Sequence, residues 1–282
     1  RGAMTKTPGK RSPLRLSLHG EFMTTPFDQV IEDIKKRGYH NHRLEDHSDV
    51  VSHGIFRDLL EMCELLRHDS QSGKVRMWLN IPRPGGRGRK IDLAIGEAIP
   101  RRDEPDPEKL RICVENKSVV TAHRNKDARY DDLDDTLKAL HSVKPEIVLA
   151  ATVMIGTAER VLNVPDRVKP LYKGRDAEFE RNVLPRLSSG DQSLWAEFPS
   201  AISVNRPNDP QKTMEKFRQL PRRQPGYTHV AGYDFLLLVP VYIDNVNPPY
   251  LARTNSLGIS IDREYQAMLD RICRTYRVRW HP

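Results

Sequence analysis

The chain has 282 residues, of which 38% are hydrophobic, and its 46 Lys and Arg against 38 Asp and Glu give a net charge of +8. This length supports one large domain or two modest ones, with a core that needs no metal or disulfide for stability. No apolar run reaches the ~18 residues of a membrane helix, so no membrane partner is expected. The spacing of Cys63, Cys113 and Cys273 argues against a cysteine zinc site and against a disulfide scaffold, and it favours a reducing, cytoplasmic compartment.

The basic excess is concentrated at the start of the sequence. Five basic residues precede the first acid, Glu21, and they are Arg1, Lys6, Lys10, Arg11 and Arg15. We expect residues 1–20 to form a disordered basic tail. The net charge therefore supports nucleic-acid binding only weakly, and local clusters have to carry that interpretation.

Hydrophobic periodicity predicts helices at the start and strands in the middle of the chain. Thr25 and Pro26 begin a helix that Gly38 ends, and a second helix runs from Ser48 to about Leu66. The period then changes to the alternation of strands. The next predicted elements are strands over Val75–Ile81, Lys90–Gly96 and Leu110–Val119, a helix from Thr121 to about Val143, and an almost entirely apolar strand over Glu146–Ile155. The helix between the last two strands predicts that they pair in parallel.

The second half of the chain is less regular. Its predicted elements are short helices near Asp176–Leu187 and Gln211–Leu220, a strand over Tyr233–Asp244 and an amphipathic helix over Ile261–Val278. We expect an α/β fold whose core spans residues 21–156, with an α/β extension over residues 157–282 packed on that core.

Two neighbouring predicted strands carry charged residues on one face. Glu115 and Lys117 are two positions apart, so both point to the same side of their strand, and Asp92 lies on the non-aliphatic face of the preceding strand. Two converging carboxylates repel each other, and a hard divalent cation relieves that repulsion. Mg²⁺, for which we expect Mn²⁺ to substitute, would take Asp92, Glu115 and the backbone carbonyl of Asn116 as ligands. Lys117 would orient the attacking water or hold a phosphate oxygen during metal-assisted hydrolysis of a phosphodiester.

This arrangement resembles the active site of the PD-(D/E)xK nuclease superfamily, the fold of many type II restriction endonucleases. Ile91-Asp92 matches the first half of the motif, with Ile91 where the family has proline, and Glu115-Asn116-Lys117 matches the second half. The resemblance covers less than half of the chain. It implies a restriction endonuclease-like core, in which a helix, a three-strand meander, a helix and a further strand form a mixed sheet flanked by helices. It also implies a Mg²⁺-dependent endodeoxyribonuclease, most like an enzyme of a restriction-modification system because a long extension follows the core.

Other residues are candidates for supporting roles. An acid from the helix before the meander often joins such catalytic sites, and Asp58, or else Asp49, flanks the apolar stripe of that helix. A glycine-rich turn and the start of the helix after the meander supply the candidate DNA contacts, which are Arg83, Arg87, Arg89, Lys90, His123, Arg124 and Lys126. Cations at a helix N-terminus oppose the helix dipole, and this favours an anion bound there.

The expected partner is double-stranded DNA, and a twofold homodimer would match a palindromic target. The extension would serve recognition or dimerisation, the latter through the helix Ile261–Val278 or the strand Tyr233–Val241, unless both only complete a monomeric core. No Walker loop is present, so no ATP is expected. Two alternatives remain open: a DNA repair or structure-specific nuclease on the same core, and a DNA-binding protein without catalytic activity.

Overall fold

The computed structural model describes residues 24–40, 46–84, 88–120, 123–253 and 260–282. The helices are α1 (Pro26–Arg37), α2 (Asp46–Met62), α3 (Glu64–Gln71), α4 (Lys126–Val143), α5 (Asp176–Asn182), α6 (Leu184–Ser188), α7 (Leu194–Glu197), α8 (Asp209–Arg218) and α9 (Ile261–Trp280). The strands are β1 (Arg76–Pro82), β2 (Lys90–Ala98), β3 (Pro105–Val119), β4 (Val148–Gly156), β5 (Arg160–Leu162), β6 (Ile202–Val204), β7 (Phe235–Tyr242) and β8 (Tyr250–Leu251). The tail predicted over residues 1–20 lies outside the described residues.

Six strands form one mixed sheet in the order β1-β2-β3-β4-β7-β8. β1, β2 and β3 pair antiparallel as a meander. β4 is parallel to β3, β7 is parallel to β4, and β8 pairs antiparallel with β7. The predicted α/β class and the parallel pairing of the two strands that flank α4 are thereby confirmed.

Helices cover both faces of this sheet. One face packs against α1, α2 and α9 in a cluster that includes Phe27, Ile55 and Tyr265. The other face packs against α4 and α8, through residues such as Leu137 and Phe217. β4 is buried on both sides, which explains why its sequence is apolar at almost every position. None of the described helices combines the length and the apolar content that crossing a bilayer requires.

The chain on both sides of residue 156 contributes to the central sheet. β7 lies between β4 and β8, and α9 packs on the same face as α1 and α2. The segment from β5 to β6 adds a smaller core of its own, which includes Leu162, Phe179 and Leu187. Residues 157–282 therefore supply strands and a helix of the main fold as well as a second, smaller hydrophobic core.

A local irregularity changes the predicted faces of β2. Strict alternation would place Ile91, Leu93 and Ile95 on one face. Instead, Ile91 packs on the α4 side of the sheet, whereas Leu93 and Ile95 pack on the α2 side. Asn80 lies across from Asp92 in the register of β1 and β2 and has a φ of +54°. We attribute the exchange of faces to this left-handed residue, which interrupts the pleat beside Asp92.

The second predicted helix and the cysteines differ from expectation. The helix predicted from Ser48 to Leu66 is divided at Cys63 into α2 and α3. Cys63 forms a disulfide with Cys273 of α9, and the two Cα atoms are 5.4 Å apart. The cysteine spacing argues only against a disulfide scaffold, and it does not predict this single bond because the two cysteines lie 210 residues apart. The cytoplasmic location stays a prediction, now without support from the cysteines.

Candidate active site

The site lies where the pairing of β2 and β3 ends. Leu93 and Val114 form the ladder pair at this end of the two strands. Beyond that pair, the side chain of Asp92 takes the place of a backbone partner, since its Oδ2 accepts a hydrogen bond from the N–H of Asn116 at 2.6 Å. This bond connects the first half of the motif to the second half.

Glu115 and Lys117 point to the same side of β3, as their spacing predicts, and Asp92 approaches them from β2. Lys117 Nζ donates to Glu115 Oε2 at 2.5 Å and lies 3.8 Å from Asp92 Oδ2. The Glu115 side chain is 0% exposed, yet its second oxygen, Oε1, has no hydrogen-bond partner among the described residues. The structure thus brings the three predicted residues together and leaves one buried carboxylate oxygen available.

Burial gives Glu115 an unusual proton affinity. Removal from water raises the pKa of its carboxyl from 4.5 to about 7; Lys117 opposes this increase, Asp92 adds to it, and Arg83 also opposes it. A buried acid with a raised pKa beside a second carboxylate is typical of functional sites. An ion pair on a solvated sheet face would have no such cost, so this environment favours a chemical role for Glu115.

A third carboxylate, which sequence analysis missed, lies in the same cluster. Asp132 Oδ2 of α4 is 3.3 Å from Lys117 Nζ, and Asp132 Oδ1 forms an ion pair with Arg89. The same oxygen is 4.0 Å from Arg83 Nη1. The sequence offers one indication of this position. Asp132 directly precedes Leu133, which packs on the sheet, so Asp132 lies at the border of the buried face of α4. Several other acids surround it in α4, and periodicity does not distinguish Asp132 from them.

The donor set fits a divalent cation of the magnesium type. Mg²⁺ typically takes one or two protein carboxylates and fills its other positions with water and phosphate oxygens. Asp92 and Glu115 supply two carboxylates, and Glu115 Oε1 is an orphaned buried acceptor. Within the described ranges, no three or more His, Cys, Asp or Glu side chains are grouped so as to hold a metal ion. The Asn116 side chain turns to the other face, where Nδ2 donates to Ser52 Oγ at 2.9 Å, and its backbone carbonyl stays a predicted ligand.

Two of the predicted DNA contacts lie in the interior. Arg83 is buried and donates to Thr136 Oγ1 of α4 at 3.0 Å. His123 is also buried, with its ring nitrogens 2.7 Å from Thr213 Oγ1 and 3.0 Å from the carbonyl oxygen of Gly156. Both side chains are therefore largely enclosed by the protein, which does not favour a DNA contact, and their contacts stay predictions.

The remaining predicted DNA contacts are at the surface or outside the description. Arg89 is 48% exposed, Lys90 is exposed, and Lys126 is half-buried. Arg87 and the side chain of Arg124 lie outside the described residues, so their DNA contacts stay predictions.

The two candidate acids of α2 have different surroundings. Asp58 is buried against α9, and its Oδ2 accepts a hydrogen bond from the Tyr265 hydroxyl at 2.6 Å. Asp49 Oδ1 accepts from Asn80 Nδ2 at 2.8 Å, and Asn80 lies across from Asp92. Asp49 therefore contacts the residue of β1 that lies across from Asp92, whereas Asp58 contacts α9.

Comparison of the chain with protein-family models, with curated proteins and with solved structures finds no match in any of the three. The residues of the site are therefore the basis on which a function can be assigned.

Proposed function

We propose that the chain is a Mg²⁺-dependent endodeoxyribonuclease with a PD-(D/E)xK-type site, which hydrolyses phosphodiester bonds in double-stranded DNA as a type II restriction enzyme. The observation that carries this proposal is the convergence of Asp92, Glu115 and Lys117, with Lys117 Nζ at 2.5 Å from Glu115 and 3.8 Å from Asp92. The order of the elements supports it as well. α2, the meander β1–β3, the crossover helix α4 and the parallel strand β4 follow the order of a restriction endonuclease-like core.

Each residue of the cluster has a distinct task in this proposal. Asp92 and Glu115 hold the cation, which when bound acts as a Lewis acid toward the attacking water and the phosphate. Lys117 donates hydrogen bonds to the water or to a phosphate oxygen, where negative charge develops in the transition state. Asp92 also keeps β3 in place through the N–H of Asn116, so its loss would affect geometry as well as charge.

Supercoiled plasmid separates a nuclease from a DNA-binding protein. We expect cleavage with Mg²⁺ or Mn²⁺ and none with EDTA, and discrete fragments if the enzyme is site-specific. The Glu115→Gln protein, purified in the same way, controls for contaminating nucleases. Binding without cleavage in either metal would contradict the proposal and leave the non-catalytic DNA-binding protein. A smear, or cutting confined to damaged or branched duplexes, would favour a repair or structure-specific nuclease.

A twofold homodimer is part of the proposal, because cutting both strands at one place needs two active sites or one site that acts twice. The two elements that are candidates for the interface, the strand Tyr233–Val241 and the helix Ile261–Val278, have partners within the chain. β7 is an inner strand, and α9 buries Tyr265 and Ile272 in the core. Other surfaces would therefore form the dimer, and sedimentation equilibrium with and without a duplex measures whether it exists.

The substitution Lys90→Ala is expected to weaken DNA binding and to reduce its salt dependence. Lys90 is exposed at the start of β2, beside Arg89, and each lost phosphate contact lowers the log–log slope by about 0.9. Fluorescence anisotropy of a labelled duplex in Ca²⁺, at several salt concentrations, measures both quantities. The matched control is Lys138→Ala, which removes an exposed lysine that pairs with Asp134 on α4. Equal slopes for the two variants would mean that Lys90 contacts no phosphate.

The substitution Asp58→Asn is expected to lower the free energy of unfolding by about 1–3 kcal/mol, since it weakens a buried hydrogen bond to a charged group. Cleavage should stay unchanged, because Asp58 faces α9 and not the site. Urea unfolding and single-turnover cleavage test the two statements. Tyr265→Phe removes the same bond from the other side, so the two losses should not add. A large loss of cleavage with little change in stability would instead support Asp58 as an accessory acid of the active site.

A further inference from the structure

Asp132 lies between two cations that have different tasks in the proposed nuclease. Its Oδ2 is 3.3 Å from Lys117 Nζ, and its Oδ1 contacts the guanidinium of Arg89. Asp132 and Lys117 are each 13% exposed, whereas Arg89 is 48% exposed. One carboxylate therefore connects an enclosed lysine of the candidate active site to an accessible arginine beside it.

Lys117 relies on Asp132 most when a cation occupies the site. Three carboxylates surround the ammonium group, at 2.5 Å for Glu115, 3.3 Å for Asp132 and 3.8 Å for Asp92. A divalent cation bound to Asp92 and Glu115 competes with the ammonium group for both carboxylates and repels it. Asp132 is then the carboxylate that remains for Lys117, and it keeps the ammonium group beside the reacting phosphate.

Arg89 can also bind the DNA backbone. A half-exposed guanidinium can bind a phosphate through two parallel hydrogen bonds, and Lys90 next to it is also exposed. A phosphate and Asp132 compete for the same guanidinium. When Arg89 binds the phosphate in place of Asp132, the carboxylate loses one of its cationic partners. Its attraction for the ammonium group of Lys117 then increases.

We propose that Asp132 is a positioning residue that gives up Arg89 to a DNA phosphate, so that binding of DNA strengthens its hold on Lys117. This inference rests on the proposed function, because the phosphate belongs to the DNA substrate. One substitution then has opposite effects on binding and on catalysis. Asp132→Asn should tighten DNA binding by about fivefold, since a competitor for Arg89 is lost. It should slow the cleavage step by about 10- to 100-fold, since Lys117 is no longer held in place.

Binding and cleavage are measured separately on one duplex, which carries the site mapped in the plasmid experiment. Anisotropy in Ca²⁺ gives the affinity, and single-turnover cleavage at saturating enzyme in Mg²⁺ gives the rate of the chemical step. The variants are Asp132→Asn, Arg89→Ala and the double variant. Asp134→Asn, which removes the same charge from the same helix, is the control. We expect tighter binding for Asp132→Asn, no such gain when Arg89 is absent, slower cleavage in both backgrounds, and neither effect for Asp134→Asn.

Several outcomes would overturn the proposal that Asp132 gives up Arg89 to a DNA phosphate. Binding of Asp132→Asn at or below wild-type strength is one, and a gain in affinity that persists without Arg89 is another. Urea unfolding identifies a variant that does not fold, and in that case Arg89→Ala decides alone. The proposal needs Arg89 to bind a DNA phosphate, so binding of the duplex by Arg89→Ala at wild-type strength contradicts it. A wild-type protein that neither binds nor cleaves the duplex contradicts the proposed function, whereas an active wild type with no difference between Asp132→Asn and Asp134→Asn contradicts this inference alone.

Discussion

Replacing Glu115 with glutamine is expected to remove DNA cleavage and, at the same time, to make the folded protein more stable at pH 8. Glu115 supplies one of the two carboxylates that would hold the cation, and loss of one group that stabilises transition-state charge costs about 10²–10³ in rate. Glutamine keeps the shape of the side chain and can still accept a hydrogen bond from Lys117, but it carries no charge. A residue that served only the fold would lose stability when replaced.

The gain in stability follows from the pKa of Glu115. Burial raises this pKa from 4.5 to about 7, so the folded state holds the proton more tightly than the unfolded chain does. The stabilisation from the bound proton is fully present below pH 4.5 and is lost as the pH rises through 7. One pKa unit corresponds to about 1.4 kcal/mol, so ionisation at pH 8 costs the folded state about 3 kcal/mol, which glutamine avoids.

Urea unfolding in EDTA at pH 5 and at pH 8 measures this difference. The free energy of unfolding of Glu115→Gln should be close to that of the wild type at pH 5 and about 3 kcal/mol higher at pH 8. Glu108→Gln is the matched control, because Glu108 lies on the same strand and is exposed. Wild-type cleavage by Glu115→Gln, or a destabilised variant at pH 8, would remove Glu115 from the candidate active site.

The centre of the site could be predicted because strand geometry relates its residues. Glu115 and Lys117 are two positions apart, and this spacing alone puts them on one side of β3. Asp92 follows from the meander, because adjacent antiparallel strands bring residues on one face within contact distance. The ion pairs of Lys117 with Glu115 and Asp92 confirm that the three residues meet.

The features that could not be predicted depend on contacts between distant segments. Arg83 lies in a turn-forming segment between two prolines, and His123 stands beside Arg124, so local sequence predicts surface positions for both. Thr136 and Thr213, which contact them in the fold, lie 53 and 90 residues further along the chain. The orientation of α4 about its own axis decides which of its acids faces Lys117, and that acid is Asp132. Periodicity shows which face of an element is apolar. It contains no information on which residue at the border of that face meets another element.

Reduction of the Cys63–Cys273 disulfide is expected to lower the free energy of unfolding by about 5 kcal/mol. The bond joins the break between α2 and α3 to α9 and connects residues 210 positions apart. A cross-link over so long a loop removes much of the conformational freedom of the unfolded chain, and reduction restores that freedom. Because whole proteins are typically stable by about 5–15 kcal/mol, the reduced protein should unfold at a much lower urea concentration.

Urea unfolding with and without the reductant TCEP tests this expectation. A double variant with Cys63→Ser and Cys273→Ser should match the reduced wild type and be insensitive to TCEP. Cys113→Ser is the matched control, since the buried thiol of Cys113 is not part of the bond, and that variant should remain sensitive to TCEP. Wild-type protein that is equally stable in both conditions, and that shows three reactive thiols when denatured without reductant, would mean that the two sulfurs are not bonded in solution. The packing of α2 and α3 on α9 would then hold this face of the sheet through its buried apolar contacts and through the bond between Asp58 and Tyr265.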